Sequence, residues 1–194
     1  VRTVYCEQAE WMLKFSIPVK VTNSLRVNKA HELKAGVVMS RLLRQTGFGE
    51  AEPGFRILQD PAYLTVMLPG LTESGFEVIF RNNPFPPGQD QGVISIAALT
   101  QDPLPGRNSR LLDLIEGLAL NENRSLSRDW FQQYLSCAIG PALLLYDEHG
   151  IALEAHQQNS LLDVSGGYPR CYYYRDNQGY YLSESLRGPL PEQC

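Results

Sequence analysis

Apolar residues in this chain change their spacing repeatedly, and many of the changes are marked by glycine or proline. Leu13, Phe15, Ile17, Val19 and Val21 alternate with Lys14, Ser16, Pro18 and Lys20. Period two with β-branched residues predicts a strand that buries the face carrying Leu13 and Phe15. Pro18, on the polar side, predicts an edge or a bulge. From His31 to Gln45 the spacing becomes helical, with Leu33, Val37, Val38, Leu42 and Leu43 recurring. Gly47 and Gly49 then supply a stop. Short strands are predicted at Arg56–Leu58, Tyr63–Met67, Phe76–Phe80 and Val93–Leu99, the last continuing the same sheet. A helix is expected over Ser109–Leu120 and another over Arg128–Asp147, N-capped by Ser127 and kinked or broken at Pro141. Strands return at Ile151–Ala155, Leu161–Val164, Arg170–Arg175 and Tyr180–Leu182. The DNQG tetrapeptide between the last two carries a hairpin-turn signal. Runs of short strands interleaved with a few helices predict an α+β fold, a mostly antiparallel sheet with flanking helices. The composition shift near Ser125 marks a boundary between regions 1–125 and 126–194.

Charge and cysteine content narrow the function classes. The net charge is -4 across 194 residues, and no Lys/Arg-rich run occurs. Binding to a nucleic-acid backbone relies on clustered cations, so no nucleic acid partner is expected. No stretch is apolar and long enough to span a bilayer, and no membrane partner is expected. Cys6, Cys137, Cys171 and Cys194 form no CxxC pair and have no His at zinc-ligand spacing. Reduced thiols in a cytoplasmic protein are the plain reading. The opening residues contain no apolar segment of the kind a signal peptide needs, and the start reads as the interior of a longer protein.

Three polar clusters carry candidate chemistry. Thr22-Asn23-Ser24-Leu25-Arg26-Val27-Asn28 lies between the first strand and the first helix. A strand-to-helix turn there would offer hydroxyls, backbone N–H groups and a guanidinium to phosphate oxygens, assisted by the helix N-terminus. A purely structural polar loop is the alternative. Glu154-Ala155-His156-Gln157-Gln158-Asn159 is the second cluster. On a strand, Glu154, His156 and Gln158 would share one face. Glu154 and Asn159 carry the oxygen donors that Mg²⁺ prefers, while a polar strand end is the competing reading. Arg175-Asp176 is the third, where Asp176 suits either a metal ligand or a turn.

Together these segments resemble the aerobactin synthetase (IucA/IucC) family of NRPS-independent siderophore synthetases. TNSLRVN looks like the family's S-x-R phosphate-binding segment, GIALEAHQQNSLL closely matches its E-A-H-x-Q-N motif, and YYYRD matches the following Arg-Asp. The resemblance implies ATP and Mg²⁺ as cofactors. It implies a reaction in which a carboxylate, typically of citrate or a citrate derivative, is adenylated and then captured by an amine or a hydroxyl. By the same resemblance, Ser24 and Arg26 hold the triphosphate, with Gln158 beside the phosphates and Arg175 in the nucleotide-binding set. Glu154, Asn159 and Asp176 lie at the metal. His156 stabilises developing charge, and Arg41 does similar work, with Arg44 as its rival. Val27 departs from the Thr that many members carry there. Members of the family are much longer, so this chain is expected to cover a palm-like region (1–125) and the start of a thumb (126–194). Such a piece alone should bind nucleotide weakly or not at all. A homodimeric parent is compatible with the resemblance. A kinase-like phosphotransferase and a non-catalytic fragment are the alternatives on residue chemistry alone.

Overall fold

The computed structural model describes residues 3–21, 24–119, 126–176 and 179–184. In chain order the strands are β1 (Thr3–Val4), β2 (Trp11–Phe15), β3 (Ile17–Val21), β4 (Ser24–Arg26), β5 (Phe55–Ile57), β6 (Ala62–Leu64), β7 (Val78–Asn82), β8 (Val93–Ser95), β9 (Ile151–Leu153), β10 (Ser160–Asp163), β11 (Cys171–Tyr174) and β12 (Tyr180–Leu182). The helices are α1 (Ala30–Thr46), α2 (Phe48–Ala51), α3 (Ile96–Leu99), α4 (Arg110–Ala119), α5 (Leu126–Tyr134) and α6 (Gly140–His149). They fall into two compact units: Val1–Gly47 with Leu58–Asp90, and Phe48–Ile57 with Gln91–Gln193. Ser125, the expected boundary, and the connection over residues 120–125 lie outside the described residues. So do Thr22, Asn23, Asn177, Gln178 and Cys194.

The first unit is built on the antiparallel sheet β1-β2-β7-β6, with β3 and β4 as a separate antiparallel pair. The single strand expected over Leu13–Val21 is two strands in two sheets, divided at Ser16. Ser16 N–H donates to the Glu77 carbonyl at 3.0 Å, its hydroxyl donates to Glu77 Oε2 at 2.7 Å, and its oxygen accepts from Asn28 N–H at 2.9 Å. Those bonds take Ser16 out of any ladder, and the chain changes partner there. The parity of the expected inward face is also reversed: Met12 and Lys14 are buried, while Leu13 and Phe15 are half-buried. A lysine can occupy such a position because most of its length is aliphatic. The register between β3 and β4 shifts between Ile17 and Lys20, which bears out the bulge expected at Pro18. Ser24–Arg26, expected within a turn, is a strand.

Helix α1 buries Leu33, Gly36, Met39, Ser40 and Leu43, and ends at Gly47 in the left-handed conformation (φ 68°). At Gly36 a side chain would meet Asp60 Cβ at 3.5 Å, so the helix passes close to the Asp60 backbone and side chain. Asp60 receives Arg81 Nε at 2.7 Å and Nη2 at 2.9 Å, and both residues are buried. The planar fork of arginine makes this a bidentate pair.

The second unit contains the sheet β5-β11-β10-β8 and the two-stranded β12-β9. Its ladders are antiparallel except that β5 runs parallel to β11. All four residues of β11 are buried, and Phe55 stacks on Tyr172 with ring centroids 4.9 Å apart. Two sequence expectations change here. Val93–Leu99 is a strand only as far as Ser95, whose hydroxyl accepts Ala98 N–H and starts α3. That strand pairs with β10 rather than extending the first unit's sheet. Likewise β12 pairs with β9, so no hairpin joins β11 to β12. The expected break at Pro141 is absorbed without ending the helix. A π-helical segment, Leu135–Ile139, links α5 to α6, and Gly140 N–H reaches back to the Leu135 carbonyl. The wider turn accommodates a proline that has no N–H to donate. The mixture of helices with mainly antiparallel sheets is the α+β architecture expected.

Candidate functional site

The Glu154–Asn159 segment begins where β9 stops. Glu154, Ala155 and His156 continue as exposed, non-strand backbone, and Gln157–Asn159 close into a 3₁₀ turn. The expectation that Glu154, His156 and Gln158 line one strand face is therefore wrong. The turn has a local cause: His156 N–H bonds to the Glu154 carbonyl and Asn159 N–H to the His156 carbonyl, each at 2.9 Å. Buried Ser160 closes it from below, its hydroxyl oxygen 2.9 Å from the His156 carbonyl and 2.6 Å from the Tyr172 hydroxyl.

Asn159 gathers the cluster. Its Nδ2 lies 3.0 Å from Asp176 Oδ2, 3.3 Å from the Glu154 carbonyl and 3.2 Å from His156 Nε2. A carboxamide has two N–H bonds and here faces three acceptors, so at most two are satisfied together. His156 accepts through Nε2 only as the tautomer protonated at Nδ1. A protonated His156 leaves the amide to Asp176 and Glu154. The guanidinium of Arg175 clasps the Gln158 carbonyl, Nε at 2.9 Å and Nη2 at 2.5 Å, and Arg175 N–H bonds to the Asn159 carbonyl at 3.0 Å. Six residues singled out from sequence thus meet in one place: Glu154, His156, Gln158, Asn159, Arg175 and Asp176.

The other three sequence candidates belong to the first unit. Ser24 and Arg26 sit on β4, opposite Val21 and Ile17 respectively. Arg26 is half-buried and its side chain makes no hydrogen bond or ion pair with another described residue, and the same holds for the side chain of exposed Arg41 on α1. Arg44 donates Nε to the Ser40 carbonyl at 3.2 Å, which favours Arg41 over its rival as the group available to a ligand. The N-terminus of α1 is already engaged by acid side chains. Glu32 Oε2 accepts Lys29 N–H at 3.1 Å, and Glu73 Oε1 accepts Ala30 N–H at 3.3 Å. The phosphate-binding helix end expected from sequence is thus held by carboxylates. Asn28, which ends the same polar cluster, is fully buried as a strut: its Nδ2 donates to the carbonyls of Lys14 and Glu77.

Comparison with known proteins gives these clusters a context. The sequence model of the IucA / IucC family matches residues 1–101. The chain belongs to the IucA / IucC family. A second family, described as ferric iron reductase FhuF-like transporter, matches residues 128–194. A spermidine-citrate ligase of Bacillus anthracis is 46% identical over 98% of this chain. The rhizobactin siderophore biosynthesis protein RhbC of Rhizobium meliloti (strain 1021) is 41% identical over 99%. Among solved structures, ATP-bound aerobactin synthetase IucA from a hypervirulent Klebsiella pneumoniae pathotype superposes with a TM-score of 0.84 at 26% identity, over 93% of this chain. The chain spans 32% and 34% of the lengths of those two relatives, and 34% of that synthetase chain.

For an IucA / IucC chain, the donor set of the second unit fits a magnesium ion on chemical grounds. Glu154 and Asp176 supply carboxylates and Asn159 a carboxamide oxygen, all hard oxygen donors. No group of three or more His, Cys, Asp or Glu residues clusters as a metal cage among the described residues. Sequence reading missed Ser160 and Tyr174 beneath the IucA / IucC motif. Tyr174 is fully buried, and its hydroxyl donates to the Gly179 carbonyl at 3.1 Å. Burial raises its pKa, and the carboxylates of Asp176 and Glu154 raise it further, so the hydroxyl stays a donor. Polar side chains facing a strand from a neighbouring segment leave no periodic trace in sequence, so no signal pointed to either residue.

Proposed function

We propose that this chain carries the nucleotide- and metal-binding residues of an ATP-dependent siderophore synthetase, one that adenylates a carboxylate of citrate or a citrate derivative and condenses it with an amine or hydroxyl. The observation that carries the reading is the convergence of the Glu154 carbonyl, the His156 ring and the Asp176 carboxylate on the Asn159 carboxamide. Membership of the IucA / IucC family supports it, as do relatives named for joining citrate to spermidine or to an amino acid.

In the proposed reaction a carboxylate oxygen attacks the α-phosphorus of ATP, a C–O–P linkage forms, and pyrophosphate departs with the cleaved P–O bond's electrons. The amine nitrogen then attacks the acyl carbon, AMP leaves, and the amine gives up a proton. Both reactants of the first step are anions, so positive charge must accompany their approach. Ser24 and Arg26 would bind the triphosphate. Gln158 would sit beside it, and Arg175 would brace Gln158 from behind while adding positive charge. Arg41 and a protonated His156 would neutralise charge growing on the α-phosphate and carboxylate. Glu154, Asn159 and Asp176 would hold Mg²⁺, whose contribution when bound is to screen the phosphate oxygens. The palm-like role of 1–125 and the thumb role of 126–194 belong to the same proposal, as does a homodimeric, cytoplasmic parent.

The test is ATP–pyrophosphate exchange by the full-length protein against a panel of carboxylates, citrate first. Citrate-dependent exchange with AMP as the nucleotide product is expected. Formation of ADP without exchange would place the protein with phosphotransferases instead.

A further inference from the structure

Gly179 closes the DNQG tetrapeptide, yet its backbone is not in the left-handed region and its requirement is steric. A side-chain carbon built there would lie 2.7 Å from Glu154 Cβ, 3.0 Å from Glu154 Oε2 and 3.0 Å from the Tyr174 hydroxyl oxygen. Real side chains do not tolerate such approaches, so the Glu154 side chain folds across a space that only glycine leaves open. The same residue anchors the Glu154 backbone: its carbonyl accepts Glu154 N–H at 2.8 Å and the Tyr174 hydroxyl at 3.1 Å. Tyr174 is itself fully buried at the end of β11, one residue before the Arg175-Asp176 pair. One carbonyl therefore ties the start of the Glu154–Asn159 segment to the strand that delivers Asp176.

We propose that Gly179 and Tyr174 are positioning residues that fix the Glu154 carboxylate at a set distance from Asp176. Gly179 gives the carboxylate its space, and the Tyr174 hydroxyl holds the Gly179 carbonyl in line with Glu154 N–H. The role rests on the reading above, in which Glu154 and Asp176 share a nucleotide-bound cation. Groups that orient a metal ligand through hydrogen bonds typically change metal affinity about 10–100-fold when removed.

The test is a proton-relaxation titration of Mn²⁺·ATP with the full-length protein, alongside thermal melting. Gly179→Ala should weaken Mn²⁺·ATP binding at least about tenfold, and Tyr174→Phe by several-fold, following the range for such supporting groups. Tyr173→Phe, which removes a buried hydroxyl from the same strand, should leave binding unchanged. In the Glu154→Gln background, Tyr174→Phe should add no further loss of binding, a result that general destabilisation would not give. If wild type binds Mn²⁺·ATP and Tyr174→Phe binds equally well, the positioning role is overturned while the nucleotide reading stands. Equal loss of binding in Tyr173→Phe and Tyr174→Phe would overturn the positioning role in the same way. If wild type binds no Mn²⁺·ATP, the nucleotide reading fails and the positioning role fails with it.

Discussion

The two compact units use polar side chains in opposite ways. In the first, the networks around Glu77, Asn28 and Asp60 are buried and satisfy one another. Glu77 is buried, with Ser16 on one oxygen and Ser74 N–H, Ser74 hydroxyl and Gly75 N–H on the other. Asn28 bridges two carbonyls, and Asp60 is matched to Arg81. In the second, Glu154, His156 and Gln158 are exposed, and Asn159 has more acceptors around it than N–H bonds. A closed network fixes a backbone path and has nothing to offer a ligand. An exposed one with competing acceptors can exchange a protein partner for a ligand oxygen at small cost. The contrast predicts that substitutions in the buried networks around Glu77, Asn28 and Asp60 act on stability, and those in the exposed Glu154–Asn159 cluster on binding.

The largest effect should come from Asp60→Ala. It leaves the Arg81 guanidinium buried without its partner, which should cost about 3–5 kcal/mol in a urea unfolding experiment. Next is Glu154→Gln, which should lower citrate-dependent pyrophosphate exchange by about 10²-fold, as for loss of a group acting on transition-state charge, with an unchanged melting temperature. A comparable fall in melting temperature would erase the distinction between the units. Asn28→Ala should cost about 1–3 kcal/mol by removing the buried Nδ2 donor to the Lys14 and Glu77 carbonyls, with nucleotide affinity lost only in proportion to unfolding.

The smallest effect is a pH dependence. Burial opposes the charge on Glu77, but hydrogen bonds from Ser16 and Ser74 outweigh it and hold its pKa below the usual 4.5. A depressed folded pKa means stability that is fully present above 4.5 and lost as pH falls through the folded value. Melting temperature should therefore fall less steeply between about pH 5 and pH 3 in Glu77→Gln than in wild type. Equal slopes would show that this carboxylate is not what makes the first unit sensitive to acid.

Periodicity located the long helices and most strands of this fold but not the one-turn helices α2 and α3, because one-sided burial leaves a repeating pattern only over longer stretches. It failed where pairing was decided by distant residues. Ser16 ends a strand because of Glu77, far along the chain, and β12 joins β9 although a turn signal sits between β11 and β12. The parity of β2 was misread because Lys14 is a buried lysine. At the candidate site, the short motifs picked out residues that the second unit brings together, since Glu154, His156, Asn159 and Asp176 do meet. Their conformation was misjudged because the 3₁₀ turn depends on Ser160 and Tyr172 beneath it. Asn28 ends a polar cluster in the sequence yet is a buried strut, because burial cannot be read from a polar residue's identity.

The central question is whether the guanidinium of Arg26 and the carboxylate of Asp176 each contribute to nucleotide binding. Calorimetric titration of the full-length protein with Mg²⁺·ATP, in wild type, Arg26→Ala and Asp176→Asn, addresses this directly. Loss of affinity of about tenfold or more in both variants, in the range for charge-assisted contacts, with unchanged melting temperatures, is the predicted result. Wild-type affinity in Arg26→Ala would contradict it.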